Sequence, residues 1–111
     1  MGRGSRQAAP LLNTRPAVFF EEALTEIEHE RGWYKKRSVA AEAGFLRELD
    51  HAVAAITEHP ERWARRGARV RRYVFPTYPF SLIYIVESNT VFVVALEPQR
   101  RRPGYWRKRL L

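Results

Sequence analysis

The chain has 111 residues, 45% of them hydrophobic, with three histidines, no cysteine and a net charge of +8. This length suits one compact domain; the missing cysteines exclude disulfides and thiolate metal sites, and no apolar run approaches the ~20 residues of a membrane-spanning helix. The charge is uneven, because residues 17–60 hold five Lys/Arg against nine Asp/Glu whereas residues 61–111 hold twelve against three, so the second half would attract polyanions or an acidic protein.

Residues 1–16, MGRGSRQAAPLLNTRP, carry Arg3, Arg6 and Arg15 without an acid. They lack the apolar core of a secretory signal. They are expected to form a flexible lead to a single domain over residues 17–111, in a cytoplasmic protein. Pro16 to Phe20, PAVFF, is short, apolar and β-prone, and predicts an opening strand.

From Glu21 the period changes. Phe20, Leu24, Ile27, Arg31 and Tyr34 recur at three- and four-residue steps, which predicts a helix to about Lys36, with Glu21 and Glu22 near the positive end of its dipole. In the following stretch, Phe45, Leu49, Ala52, Val53 and Ile56 line one stripe of a second helix that Pro60 ends. The short break near Arg37 and Ser38 makes the two an antiparallel hairpin.

After Pro60 the character turns to strand. Arg69–Phe75, Phe80–Glu87 and Thr90–Glu97 are rich in Val, Ile, Tyr and Phe, and Ser88-Asn89 is a two-residue hairpin signal. The last two runs are apolar on both faces, so at least one is expected to be central and covered on both sides. The order is β-α-α-β-β-β. The fold class is α+β, a small, mostly antiparallel sheet with the helical hairpin packed on one face.

Candidate chemistry concentrates in the arginines. His29, His51 and His59 fall in the helical half without metal-ligand spacing, so no metal is expected, and neither a nucleophile elbow nor a phosphate-binding glycine loop is present. Arg69, Arg71 and Arg72 form either a phosphate-binding face or a solvated edge strand, alternation sending Arg69 and Arg71 to one side and Arg72 to the other. Arg62, Arg65 and Arg66 read as a solvated connection around Trp63. Pro98 and Pro103 end strand pairing, so the chain from Gln99 should leave the sheet and cross its end. There Trp106 is a structural anchor worth roughly 1.5–3 kcal/mol of burial, and it would hold Arg100, Arg101 and Arg102 outward.

Taken in order, EEALTEI, WYKKRS, AGFLRELDHAVAAITEHP, RRYVFPTYPFSLIYIVE and VFVVALEPQRRRPGYWRKR resemble the RelE/ParE superfamily of toxins from type II toxin–antitoxin modules. The resemblance runs over residues 17 to 109. It implies the sheet-and-hairpin fold, a role in growth inhibition or plasmid stabilisation, a cognate acidic antitoxin that folds on the toxin, and no cofactor. RelE-like members cleave messenger RNA on the ribosome, and ParE-like members inhibit DNA gyrase. The hairpin closed by Trp33 and Tyr34 is similar to the ParE side. For a RelE-like ribonuclease the resemblance would place Arg71, Arg72 and Arg101 on phosphates and Tyr105 in proton transfer. Many relatives carry a histidine where this chain has Glu97-Pro98-Gln99, which leaves Glu87 and Glu97 as candidate bases. For a ParE-like toxin, Arg69, Arg71, Arg72, Arg100, Arg101, Arg102 and Tyr105 form the expected surface for gyrase or the antitoxin.

Overall fold

The computed structural model describes residues 15–111; residues 1–14 of the expected lead lie outside the described residues. Strand β1 (Ala17–Phe19) leads into helix α1 (Glu21–Arg37) and helix α2 (Val39–Glu58). A 3-10 turn at Pro60–Arg62 is followed by β2 (Ala64–Arg65), β3 (Arg71–Val74), β4 (Phe80–Glu87), β5 (Thr90–Pro98) and a closing 3-10 turn at Arg107–Leu110. The sheet order is β1-β5-β4-β3-β2. β1 runs parallel to β5 and every other neighbour is antiparallel, so the α+β architecture with a helical hairpin on one sheet face is the observed one.

A single residue separates the helices. The Ser38 N–H donates to the Tyr34 carbonyl at the end of α1, and its Oγ accepts from the Ala41 N–H at 2.9 Å to start α2, so one serine serves both helix ends. The buried face of α2 is Phe45, Leu49, Ala52 and Ile56. In α1 the inward stripe is rotated from the expected one: Ala23, Ile27 and Glu30 are buried, whereas Leu24 is half exposed and Arg31 pairs outward with Glu28 and Glu42. The small Ala23 lets the helix approach the sheet closely, and that displaces Leu24 to the flank.

The β4–β5 hairpin turns at Ser88 and Asn89 with φ of 49° and 60°, the two left-handed residues of a type I′ connection. Both strands are covered on two sides. Phe80, Leu82, Tyr84, Val91, Val93 and Leu96 pack under the helices, and Ile83, Ile85, Val94 and Ala95 pack with Val70 and Trp106 on the opposite face. A register shift puts an extra residue in β5 opposite Ile83/Tyr84. It brings Val94 and Ala95, adjacent in sequence, into the same cluster beneath the indole, as a bulge re-aims side chains. Three expectations are corrected. The strand expected over Arg69–Phe75 keeps only Arg71–Val74 as a ladder, the connection after α2 gains the two-residue β2, and β5 extends through Pro98 opposite Phe80.

Candidate functional site: the cationic C-terminal platform

The segment after β5 does not simply cross the sheet end as expected; it folds over the face away from the helices and around the β5 edge. Its anchor is Trp106, 1% exposed, whose indole Nε1–H donates to the buried Glu97 carboxylate at 2.8 Å. Glu97 also accepts from the Gly104 N–H at 3.3 Å and faces Arg66 at 3.7 Å. Gly104 sits at φ +81°, a conformation that favours glycine and lets the chain turn back toward Trp106. Glu97 is thus an internal acceptor, and Glu87, the other candidate base, is an exposed partner of Arg69.

A second set of contacts closes the sheet edge. β1 pairs only with Val91–Val93 of β5, so the strand beyond would present open backbone groups. Side chains occupy them. The Leu96 N–H donates to Glu26 of α1 at 3.0 Å, the Arg109 guanidinium donates to the Val94 carbonyl at 2.9 Å, and the Tyr105 hydroxyl lies 3.2 Å from the Leu96 carbonyl. Glu26 joins these groups, taking Tyr105 at 2.6 Å and both Arg109 nitrogens at 2.9 and 3.1 Å. Burial, then the Glu26 carboxylate, pushes the Tyr105 hydroxyl well above the usual tyrosine range, so it stays protonated and donating.

On this base stand the exposed arginines. The Arg101 guanidinium lies 3.7 Å from the Tyr105 ring centroid, a cation–π contact, while Arg100 and Arg102 are exposed beside it. Between them and α1 opens a cleft of about 530 Å³ lined by Thr25, Glu26, His29, Glu30, Leu96, Pro98, Arg100 and Arg101.

The basic strand region is separate. Arg71 lies opposite Tyr84 on the helix side and donates to the Trp63 and Glu61 carbonyls at 2.7 and 3.1 Å. Arg72 lies opposite Ile83 on the other side, its Nε buried without a hydrogen-bond partner among the described residues. Arg69 precedes β3, outside the alternation expected for it, and pairs with Glu87. Trp63 packs edge-on against Tyr73 and donates to the Ala55 carbonyl at 3.3 Å.

Of the residues singled out in the sequence, the structure brings together Arg100, Arg101, Arg102, Tyr105 and Trp106; Arg69, Arg71 and Arg72 stand beside or on β3, with Arg71 on the helix side and Arg72 on the face that Trp106 covers. Sequence reasoning set His29 aside for want of metal-ligand spacing and passed over Glu26 and Glu30. Their i, i+3, i+4 spacing puts them on one side of α1, a signal that gains meaning only once the tail is placed against that side. Among the described residues no group of three His, Cys, Asp or Glu could hold a metal ion.

The chain matches the family described as the ParE toxin of the type II toxin–antitoxin system, parDE, over residues 18–103. Its fold is similar to the chromosomal ParDE system of P. aeruginosa, with 12% identity over 78% of this chain and 97% of that chain and a TM-score of 0.61. It is also similar to the E. coli toxin RelE: a double arginine-to-alanine variant in the free state gives 19% identity over 88% and 99% of the two chains with a TM-score of 0.59, and the isolated toxin gives 22% over 87% and 99% with a TM-score of 0.51. At these identities the likeness is one of fold. No curated protein matches the chain significantly.

Proposed function

Because the chain belongs to the ParE toxin family of type II toxin–antitoxin systems, we propose that it inhibits DNA gyrase by binding rather than by breaking a bond, and that a cognate acidic antitoxin neutralises it in the cytoplasm. Residues 17–111 act as the toxin domain. The surface carrying the interaction is the platform of Arg100, Arg101 and Arg102 held rigid by Trp106 and Tyr105, with Arg69 and the β3 arginines as a second cationic area.

The observation that supports binding over catalysis is the dispersal of the candidate ribonuclease set. Phosphodiester cleavage needs a base, an acid and a cation converging within hydrogen-bond reach of one reacting group. Here Arg71 and Arg72 face opposite sides of the sheet, and the Tyr105 hydroxyl is committed to Glu26 and the Leu96 carbonyl. The test is a supercoiling assay with purified gyrase. Inhibition at concentrations that arrest growth is expected, and unaffected supercoiling at those concentrations refutes the target.

One feature favours a second reading, a ribosome-dependent endoribonuclease: His29 shares a cleft with Arg100 and Arg101, which puts an imidazole beside two guanidiniums. That reading expects discrete cuts in translated messages after induction, lost in His29→Ala. Intact transcripts remove it.

A further inference from the structure

The α1–tail cleft contains a charge that the fold leaves unanswered. Glu30 is 8% exposed and lines the cleft, yet among the described residues its carboxylate takes part in no ion pair or hydrogen bond. Its neighbour Glu26 differs, being saturated by Tyr105, Arg109 and the Leu96 N–H. The Glu30 carboxylate oxygens are not fully buried, so the unpaired charge stays open to the cleft. It gains strongly when a guanidinium or ammonium reaches it. The opposite lip carries Arg100 and Arg101, both exposed, and the floor is apolar at Leu96 and Pro98. The cleft therefore has a negative wall, a positive lip and an apolar floor. A simple anion would meet Glu30 unfavourably, and a simple cation would meet the arginines. An extended peptide carrying both signs satisfies each wall.

We propose that this cleft docks a segment of a partner protein that places an arginine or lysine on Glu30 and an aspartate or glutamate on Arg100 and Arg101. The proposal rests on the toxin–antitoxin reading, since the neutralising partner is the protein that would supply the segment. It adds that a predominantly acidic partner contributes one basic side chain at a defined place.

The test is a titration of the full chain, followed by amide NMR, with the probe peptide acetyl-Arg-Ala-Glu-amide. Its neutral counterpart, acetyl-citrulline-Ala-Gln-amide, serves as the control. Shifts at Glu30, Leu96 and Arg100 are expected with the charged peptide, and binding weaker by roughly tenfold or more with the neutral one. Glu30→Gln should give a similar loss while its unfolding midpoint stays level or rises, because no internal partner is removed. Arg100→Gln with Arg101→Gln should weaken acetyl-Arg-Ala-Glu-amide but leave acetyl-Arg-Ala-Gln-amide unaffected. Equal affinity for the charged and neutral peptides, no shift with either, or a Glu30→Gln variant that binds as before overturns the proposal. A lowered midpoint in Glu30→Gln assigns Glu30 to the fold and overturns it too. The peptide comparison on the unmodified chain decides the matter even if a variant fails to fold. Growth arrest and gyrase inhibition are read separately, so a toxin with an inert cleft and a binding cleft without toxicity are distinguishable outcomes.

Discussion

The Tyr105 hydroxyl donates to the Glu26 carboxylate at 2.6 Å, joining residues 79 apart in sequence. The bond ties the tail to α1 across the edge of β5, where Arg109 and the Leu96 N–H meet the same carboxylate. Glu26→Ala would leave the Leu96 amide and the Arg109 guanidinium without their acceptor in a mostly buried setting. A loss of about 3 kcal/mol is expected, by analogy with breaking other buried ion pairs, against about 1 kcal/mol for Tyr105→Phe. Urea unfolding measures both. Because the released strand edge is a template for pairing with another chain, Glu26→Ala should also self-associate in sedimentation velocity at concentrations where the parent does not. A variant that stays as stable and as dispersed as the parent would show that the edge needs no such cover.

Alkaline pH should weaken the fold through two tyrosines. Burial pushes the Tyr84 hydroxyl up to about 12, with Arg71 opposing, from 10.0 for the free side chain; it donates to the Pro60 carbonyl. Tyr105 is raised as well, by burial first and Glu26 second. Below pH 10 folded and unfolded chains both keep these protons, so the contribution is fully present. Above it the unfolded chain releases them while the folded one does not, and stability falls as pH rises toward the folded values. For Tyr84 the slope reaches about 1.4 kcal/mol per pH unit. Thermal melts from pH 8 to 12 should show a decline beginning near 10, and Tyr84→Phe should make it shallower. An identical pH profile in the variant excludes this origin.

What could be read in advance follows the range of the forces involved. The β4–β5 hairpin was legible because Ser88-Asn89 is a local turn signal and both flanking runs are continuous apolar stretches. The α2 stripe was legible because Phe45, Leu49, Ala52 and Ile56 repeat over several turns. The α1 stripe passes through Ile27 and Tyr34 in either rotation, and choosing Ala23 over Leu24 depends on how closely the sheet approaches. β2 has two residues, too few to carry a period. The parallel pairing of β1 with β5 joins Ala17 to Val91, a register set by tertiary packing rather than by any local pattern. The site divided in the same way. Trp106 and the arginine run announced themselves by composition, whereas Glu26 and Glu30 looked like ordinary solvated acids until the tail supplied their surroundings.

Gly44 lies inside α2, where glycine is usually a weakness and alanine gains about 1 kcal/mol. Here the opposite sign is expected. A Cβ at this position would run into the Tyr78 hydroxyl, which is held by the Ala41 carbonyl at 2.9 Å while the Tyr78 N–H is held by Glu48 at 3.0 Å. Gly44→Ala should therefore lower stability, Tyr78→Phe should lower it modestly, and the double variant should recover part of the difference because the clashing oxygen is gone. A double-mutant cycle by urea unfolding reads the coupling. Strict additivity would mean that the ring simply moves aside.

The platform implies a division of labour between anchor and cations. Trp106 fills the cluster of Val70, Ile83, Ile85, Val94 and Ala95, and its indole satisfies Glu97, so Trp106→Ala removes packing and also one of the donors to a buried carboxylate. A loss of about 3–5 kcal/mol is expected from large-to-small substitution at such a site. Arg101 and Arg102 are exposed, and replacing both by alanine should change stability by less than about 1 kcal/mol, the Tyr105 stacking of Arg101 being the main contact given up. Growth inhibition should separate from stability in the same pair of variants. The double arginine variant should accumulate as a folded protein that no longer arrests growth, whereas the tryptophan variant should lose activity in proportion to the unfolded fraction. Circular dichroism melts alongside an induced growth assay provide both readings. Equal destabilisation by the two changes would place the arginines in the fold, and undiminished toxicity in the folded double variant would move the working surface to Arg69 and the β3 side of the sheet.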